Sequence, residues 1–173
     1  MTDPRYPIGK ITLPVTLTAT TRAAAIARIA ALPGHLQDAV RGLDEHQLDT
    51  PYRDGGWTLR QVVHHVADSH VNAYVRHKLA LTETNPPVKA YDENEWAKLA
   101  DANGPIGVSL ALVTALHERW VHCLRAVPTA AFARTCMHSE RGALSVDDLV
   151  ALYAWHGDHH VAHITTLRRA KGW

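Results

Sequence analysis

The stretch Ser145-Val146-Asp147-Asp148-Leu149-Val150-Ala151-Leu152-Tyr153-Ala154-Trp155-His156-Gly157-Asp158-His159-His160-Val161-Ala162-His163-Ile164 reads as the first twenty residues of one long helix. Ser145 with Asp148 three residues on has capping-box spacing, in which each side chain takes up an orphan backbone N–H of the other. Asp147 and Asp148 stand in the first turn, and Arg168, Arg169 and Lys171 lead to Gly172, so both ends complement the helix dipole. Leu149, Leu152, Tyr153, His156, His160, Ile164 and Leu167 share one face. Such a stripe must be covered by other helices.

Three more helical segments supply the cover. From Thr18 to Leu43, apolar residues recur at spacings of three and four, and Pro33-Gly34 is expected to kink or locally break that helix. A second helix starts at Thr58, whose capping-box partner is Gln61, and runs to about Thr82, because Asn85-Pro86-Pro87 cannot continue it. A third spans about Val108 to Val127 and stops at Pro128. Between Pro86 and Gly107 lies a long connection with one short helical candidate, Glu93 to Ala100, and a link of that length permits a crossover. Residues 1–17, with Pro4, Pro7, Gly9 and Pro14, read as an extended arm without evident chemistry, and Arg134 to Leu144 as a loop. No strand alternation competes, so the expected fold is an all-α four-helix bundle in a single domain, 1–173.

Composition narrows the function. Eighteen Lys and Arg against seventeen Asp and Glu leave no single-sign field, so neither nucleic acid nor a membrane surface is an expected partner. The start Met1-Thr2-Asp3-Pro4 has no basic stretch followed by an apolar segment, and no run of eighteen apolar residues occurs, which makes the cytoplasm the expected location. Cys123 and Cys136 lack the spacing of a metal or redox motif and are expected as free thiols. Thirteen histidines in 173 residues are the outlying feature.

Two pairs four residues apart overlap in the last helix, His156/His160 and His159/His163. Imidazoles at that spacing stack on one face, about 5–6 Å apart at Cβ, and can reach one ion. His156 and His160 lie on the apolar stripe, with His159 toward its edge. A transition metal needs a third ligand, and the second helix offers His64, His65 and His70. At about 1.5 Å rise per residue, modest stagger lets either His65 or His70 meet the pair, so geometry leaves both open. Gly157, which costs a helix about 1 kcal/mol, suggests either a close backbone approach at that point or a cost tolerated by strong packing. It also stands where the glutamate of a zinc-protease HExxH would be, which removes that mechanism. Taken singly, His35, His46, His117 and His138 read as surface or hydrogen-bonded core residues.

The residues Leu48-Asp49-Thr50-Pro51-Tyr52-Arg53-Asp54-Gly55-Gly56-Trp57-Thr58, Arg60-Gln61-Val62-Val63-His64-His65 and Ala67-Asp68-Ser69-His70, with the Trp155-to-Ile164 run, resemble the YfiT branch of the DinB/YfiT family. That resemblance implies a homodimeric four-helix bundle in the cytoplasm. It implies one divalent transition metal per subunit, zinc or nickel, held by His65, His156 and His160. It further implies a metal-dependent hydrolase acting on a small-molecule substrate. In the wider superfamily the counterpart is transfer of a low-molecular-weight thiol such as bacillithiol, glutathione or mycothiol, and a metal that only braces the bundle is the non-catalytic rival. Three neutral imidazoles leave an ion's charge undiminished, so it can acidify a water or a thiol. Asp68, His159 and His163 are candidate orienters or bases, Tyr52 and Trp57 could line a pocket, and Arg53 and Asp54 are expected to pair within their turn.

Overall fold

Capping chemistry sets the helix starts. In the computed structural model, which describes residues 3–173, the Thr18, Thr58 and Ser145 side chains each accept the backbone N–H three residues on, at helices α1 (Ala19–Val40), α3 (Leu59–Thr82) and α6 (Val146–Lys171). The short α2 (Glu45–Leu48) is capped in the same way by Asp44. After β1 (Pro87–Val88) come α4 (Glu93–Trp96) and α5 (Ile106–Ala126), and then β2 (Thr135–His138) and β3 (Gly142–Ser145). Gly172 ends α6 in the left-handed conformation, with φ 71°, that its lack of a Cβ allows.

The four long helices form the bundle. Helices α1 and α3 each pack chiefly on α5 and α6. His64 meets Ser109 and His70 meets His117, so α3 and α5 are parallel neighbours, and the long connection between them returns the chain along the bundle. Pairing of His65 with His160 and of Arg76 with Tyr153 shows that α3 and α6 run antiparallel. Two apolar clusters fill the interior, one around Trp120, Leu124 and Leu149, the other around Leu36, Leu59, Val113 and Ile164. No helix among the described residues is long and apolar enough to cross a membrane.

Three expectations need correction. Helix α1 runs unbroken through Pro33. Proline has no N–H to give the carbonyl of Ile29 four residues earlier, but the His117 ring donates to that oxygen at 2.7 Å and replaces the missing bond. The segment read as a loop contains a hairpin: β2 pairs antiparallel with β3 and parallel with β1. Strands of two and four residues are too short to display alternation. The arm, from Asp3 onward, does reach the chemistry. It is pinned to α6 where Asp148 accepts the Val15 N–H at 2.8 Å and the Gly9 carbonyl accepts from Trp155 Nε1 at 3.2 Å. The arm's first two residues, Met1 and Thr2, lie outside the described residues.

Gly157 marks a close approach of α1 and α6. A Cβ at that position would stand 2.7 Å from Leu32 Cδ2 and 3.2 Å from its Cγ, and Leu32 is buried. Gly157→Ala is therefore expected to destabilise the fold by about 1 kcal/mol net, overpacking outweighing the gain in helix propensity. In a Leu32→Ala background the same change should instead stabilise. Urea unfolding of the four proteins of this cycle measures both signs.

Candidate metal centre

The capping box at Thr58 fixes the phase of α3 and so the directions of its histidines. Successive residues turn by about 100°, which sends neighbouring rings to different helices. His64 faces the start of α5: its Nε2–H donates to the Gly104 carbonyl just before that helix at 3.0 Å, and its Nδ1 accepts from Ser109 Oγ at 2.7 Å. Both of its nitrogens are satisfied. His65 faces α6.

On α6, the rings of His156 and His160 lie 4.4 Å apart, as their spacing predicts. His65 meets both, with its Nε2 3.2 Å from His156 Nε2 and its ring centroid 4.7 Å from that of His160. Taking one ring nitrogen from each of the three, all lie within 4.8 Å of one another. His65 and His160 are buried and His156 is half-buried. Burial holds the His65 imidazole down to about pKa 3, with the nearby His159 and His163 adding to the effect. His156 and His160 are likewise pushed well below the ordinary histidine value, chiefly by burial. Three uncharged nitrogen donors thus converge at neutral pH, a set that suits zinc, nickel, copper or iron(II). His65 Nε2 and His156 Nε2 face each other at a separation where a shared proton or a shared cation is needed to offset lone-pair repulsion.

The three rings open onto a cavity of about 490 Å³ that Tyr52, Arg53, Trp57, Glu93, Arg141 and Trp155 also line. Tyr52 and Trp57 therefore do line a pocket, and Trp57 packs on His65 at 4.6 Å between centroids. A second, narrower pocket lined by Ser69, Arg76, Tyr91 and Tyr153 shares His156, Glu93 and Arg141 with the first. Burial raises the Glu93 carboxyl above its ordinary pKa. Neither Arg53 nor Arg141 makes an ion pair among the described residues. Arg53 pairs with Asp54 within the turn through the backbone, donating to the Asp54 carbonyl at 2.9 Å.

The other sequence candidates divide. His163 Nδ1 sits 3.4 Å from His160 Nδ1, and its ring stacks on Tyr52. His159 stacks on Trp155, and its buried Nδ1 has no hydrogen-bond partner among the described residues. Asp68 makes no hydrogen bond to any of the three rings: three residues past His65, it is turned toward Asp101 and His64, and burial raises its carboxyl pKa. His70 lies one layer deeper, behind His156. Sequence reading passed over Ser69, whose Oγ is 3.3 Å from His156 Nε2, and Glu93 and Arg141, which reach the cavity only through α4 and the hairpin.

Comparison with known proteins gives a consistent set. The family model for the DinB superfamily matches residues 28–164. Proteins named "Putative metal-dependent hydrolase" from Bacillus mycoides (strain KBAB4) and Bacillus cereus (strain 03BB102) are 50% and 49% identical to the chain, over the full length of both partners. The structure of YfiT from Bacillus subtilis, described as having an unusual four-helix bundle topology, superposes with a TM-score of 0.95 at 42% identity, covering 98% of each chain. TT2238, a four-helix bundle protein, shares the fold at 20% identity and a TM-score of 0.57, over 88% of this chain and 99% of its own.

Two outcomes are expected. His65→Ala, His156→Ala and His160→Ala should each abolish stoichiometric zinc uptake in equilibrium dialysis, whereas His64→Ala should retain it. The metal-free protein should lose stability as pH falls from about 6.5 toward 4. Burial holds His77 and His117 at about 4, so below 6.5 the unfolded chain takes up protons that the folded chain refuses. Thermal melts between pH 8 and 4 would show a flat region above 6.5 and a steep decline below it; a flat profile throughout contradicts the assignment.

Proposed function

Since this chain belongs to the DinB superfamily, we propose that it is a cytoplasmic metal-dependent hydrolase of small molecules, with one divalent ion, zinc or nickel, held by His65, His156 and His160. The single observation that carries the reading is the convergence of three uncharged imidazoles, their nitrogens within 4.8 Å of one another, on the wall of an open cavity. A site that merely braced the bundle would be closed by four protein ligands. When bound, the ion supplies Lewis acidity, acidifying a water and polarising a substrate carbonyl. The names borne by the full-length relatives from Bacillus point the same way.

The chain's own residues then divide the remaining work. Arg53 and Arg141, without carboxylate partners of their own, are suited to an anionic group on the substrate. Glu93, whose carboxyl holds its proton more readily than usual, lines both pockets and can take up or return a proton beside the centre. Trp57 and Trp155 wall the cavity and limit water.

Metal-loaded protein should hydrolyse small carboxylate-bearing esters or amides at a rate that a chelator abolishes and added zinc or nickel restores. Arg141→Ala should raise KM about tenfold with kcat little changed, the loss of one charge-assisted hydrogen bond. Turnover of an electrophile only when glutathione, bacillithiol or mycothiol is supplied would replace hydrolysis by thiol transfer at the same centre.

A further inference from the structure

Behind His156 runs a line of buried rings that ends on a backbone oxygen. His156 Nδ1 lies 3.0 Å from His70 Nε2, His70 Nδ1 lies 2.9 Å from His117 Nε2, and His117 Nδ1 lies 2.7 Å from the carbonyl of Ile29. His70 is fully buried and His117 nearly so, with no carboxylate among their hydrogen-bond partners. A charge on either would be costly there, so both rings are neutral and each carries a single N–H.

The direction of the line follows from its end. A carbonyl can only accept, so the proton of His117 is on Nδ1 and its Nε2 is bare. That bare nitrogen requires the proton of His70 on Nδ1, which leaves His70 Nε2 as the acceptor for His156 Nδ1–H. His156 Nε2 is then unprotonated, and it is the nitrogen that faces His65 at 3.2 Å. We infer that His70 and His117 are positioning residues for the centre, holding His156 in the Nδ1–H tautomer through a relay anchored on the Ile29 carbonyl that Pro33 frees. The inference rests on the metal-centre reading for its purpose, though not for its geometry.

Pro33 is what makes the anchor available. In an ordinary helix the N–H of residue 33 would occupy the Ile29 carbonyl; proline has none. The same logic acts more weakly on the other α6 ring. His163 Nε2 is 3.3 Å from the Arg5 carbonyl and His163 Nδ1 is 3.4 Å from His160 Nδ1, so a proton on His163 Nε2 directs His160 to carry its own on Nδ1. Both α6 histidines are thereby left with an unprotonated Nε2. Imidazoles ending on carbonyls do here what carboxylates or carbonyls commonly do behind histidine ligands.

Long-range ¹H–¹⁵N correlation spectra of the full chain with labelled histidine, metal-free and with zinc, test the relay directly. Nδ1–H tautomers are expected at His117, His70 and His156 before any metal is added, with the His156 Nε2 resonance moving when zinc binds. An Nε2–H tautomer at His70 or His117 overturns the relay whether or not zinc binds. The expected tautomers with no response at His156 would overturn the metal reading instead. His70→Phe should weaken zinc binding by about 10- to 100-fold. His77→Phe, at an equally buried ring outside the line, should change it less than about twofold. Pro33→Ala, which offers the Ile29 carbonyl a competing N–H, should raise the melting temperature while weakening zinc binding, a divergence that general loosening of the fold cannot produce. Unchanged affinity in both His70→Phe and Pro33→Ala sinks the assignment.

Discussion

An imidazole buried in a bundle has two nitrogens to satisfy, and in the neutral ring one must give a proton while the other must receive one. The interior of this chain is organised around that requirement. Where a ring meets a carbonyl on one side and a hydroxyl on the other, as His64 does, the requirement is met locally and nothing follows from it. Where rings meet one another, each fixes the next, and the constraint is passed along until it reaches a group that is not an imidazole. His117 ends one such line on Ile29, and its other end is the cavity. Packing and chemistry are therefore the same problem in this bundle: the helices cannot bury these rings without ordering their protons.

The close approach of α1 to α6 gives that ordering its geometry. Gly157 lets Leu32 press against the backbone of α6 immediately beside His156, and one residue on from Leu32 the missing N–H of Pro33 exposes the carbonyl that His117 takes. Both residues break helix preference, each at a cost of order 1 kcal/mol or more. They stand on facing helices within a turn of the same ring system. Local violations of helix chemistry thus coincide with the place where α1, α5 and α6 meet behind the cavity, which is where a fold is expected to tolerate them.

Much of this was legible beforehand, for identifiable reasons. Caps at Thr58 and Ser145 are local signals, and they fixed the starts of α3 and α6 to the residue. The apolar stripe of α6 picked His156 and His160, because residues four apart on a buried face must converge. The hairpin was not legible, since a few residues in β2 and β3 carry no period, and with it went Arg141; Glu93 was read only as the start of a short helix, with nothing to place it at the cavity. The break allowed for at Pro33 does not occur, and the reason was out of sight because the residue that compensates for it, His117, lies 88 positions further on. His117 itself looked like one more hydrogen-bonded core histidine. It is one, and its role comes from what it is bonded to.

The choice between His65 and His70, which spacing and helix rise left open, yields to the same accounting of protons. His70 has Nδ1 on His117 and Nε2 on His156, so neither nitrogen is available to an ion without abandoning a buried partner. His65 turns its Nε2 toward the rings of α6, and its face is covered by Trp57. Moving the ion's third donor from His65 to His70 would take His70 Nε2, the acceptor for His156 Nδ1–H, and leave that N–H without its buried partner. The deeper histidine is thus suited to holding a ligand in place, and the shallower one, at the cavity wall, to being a ligand.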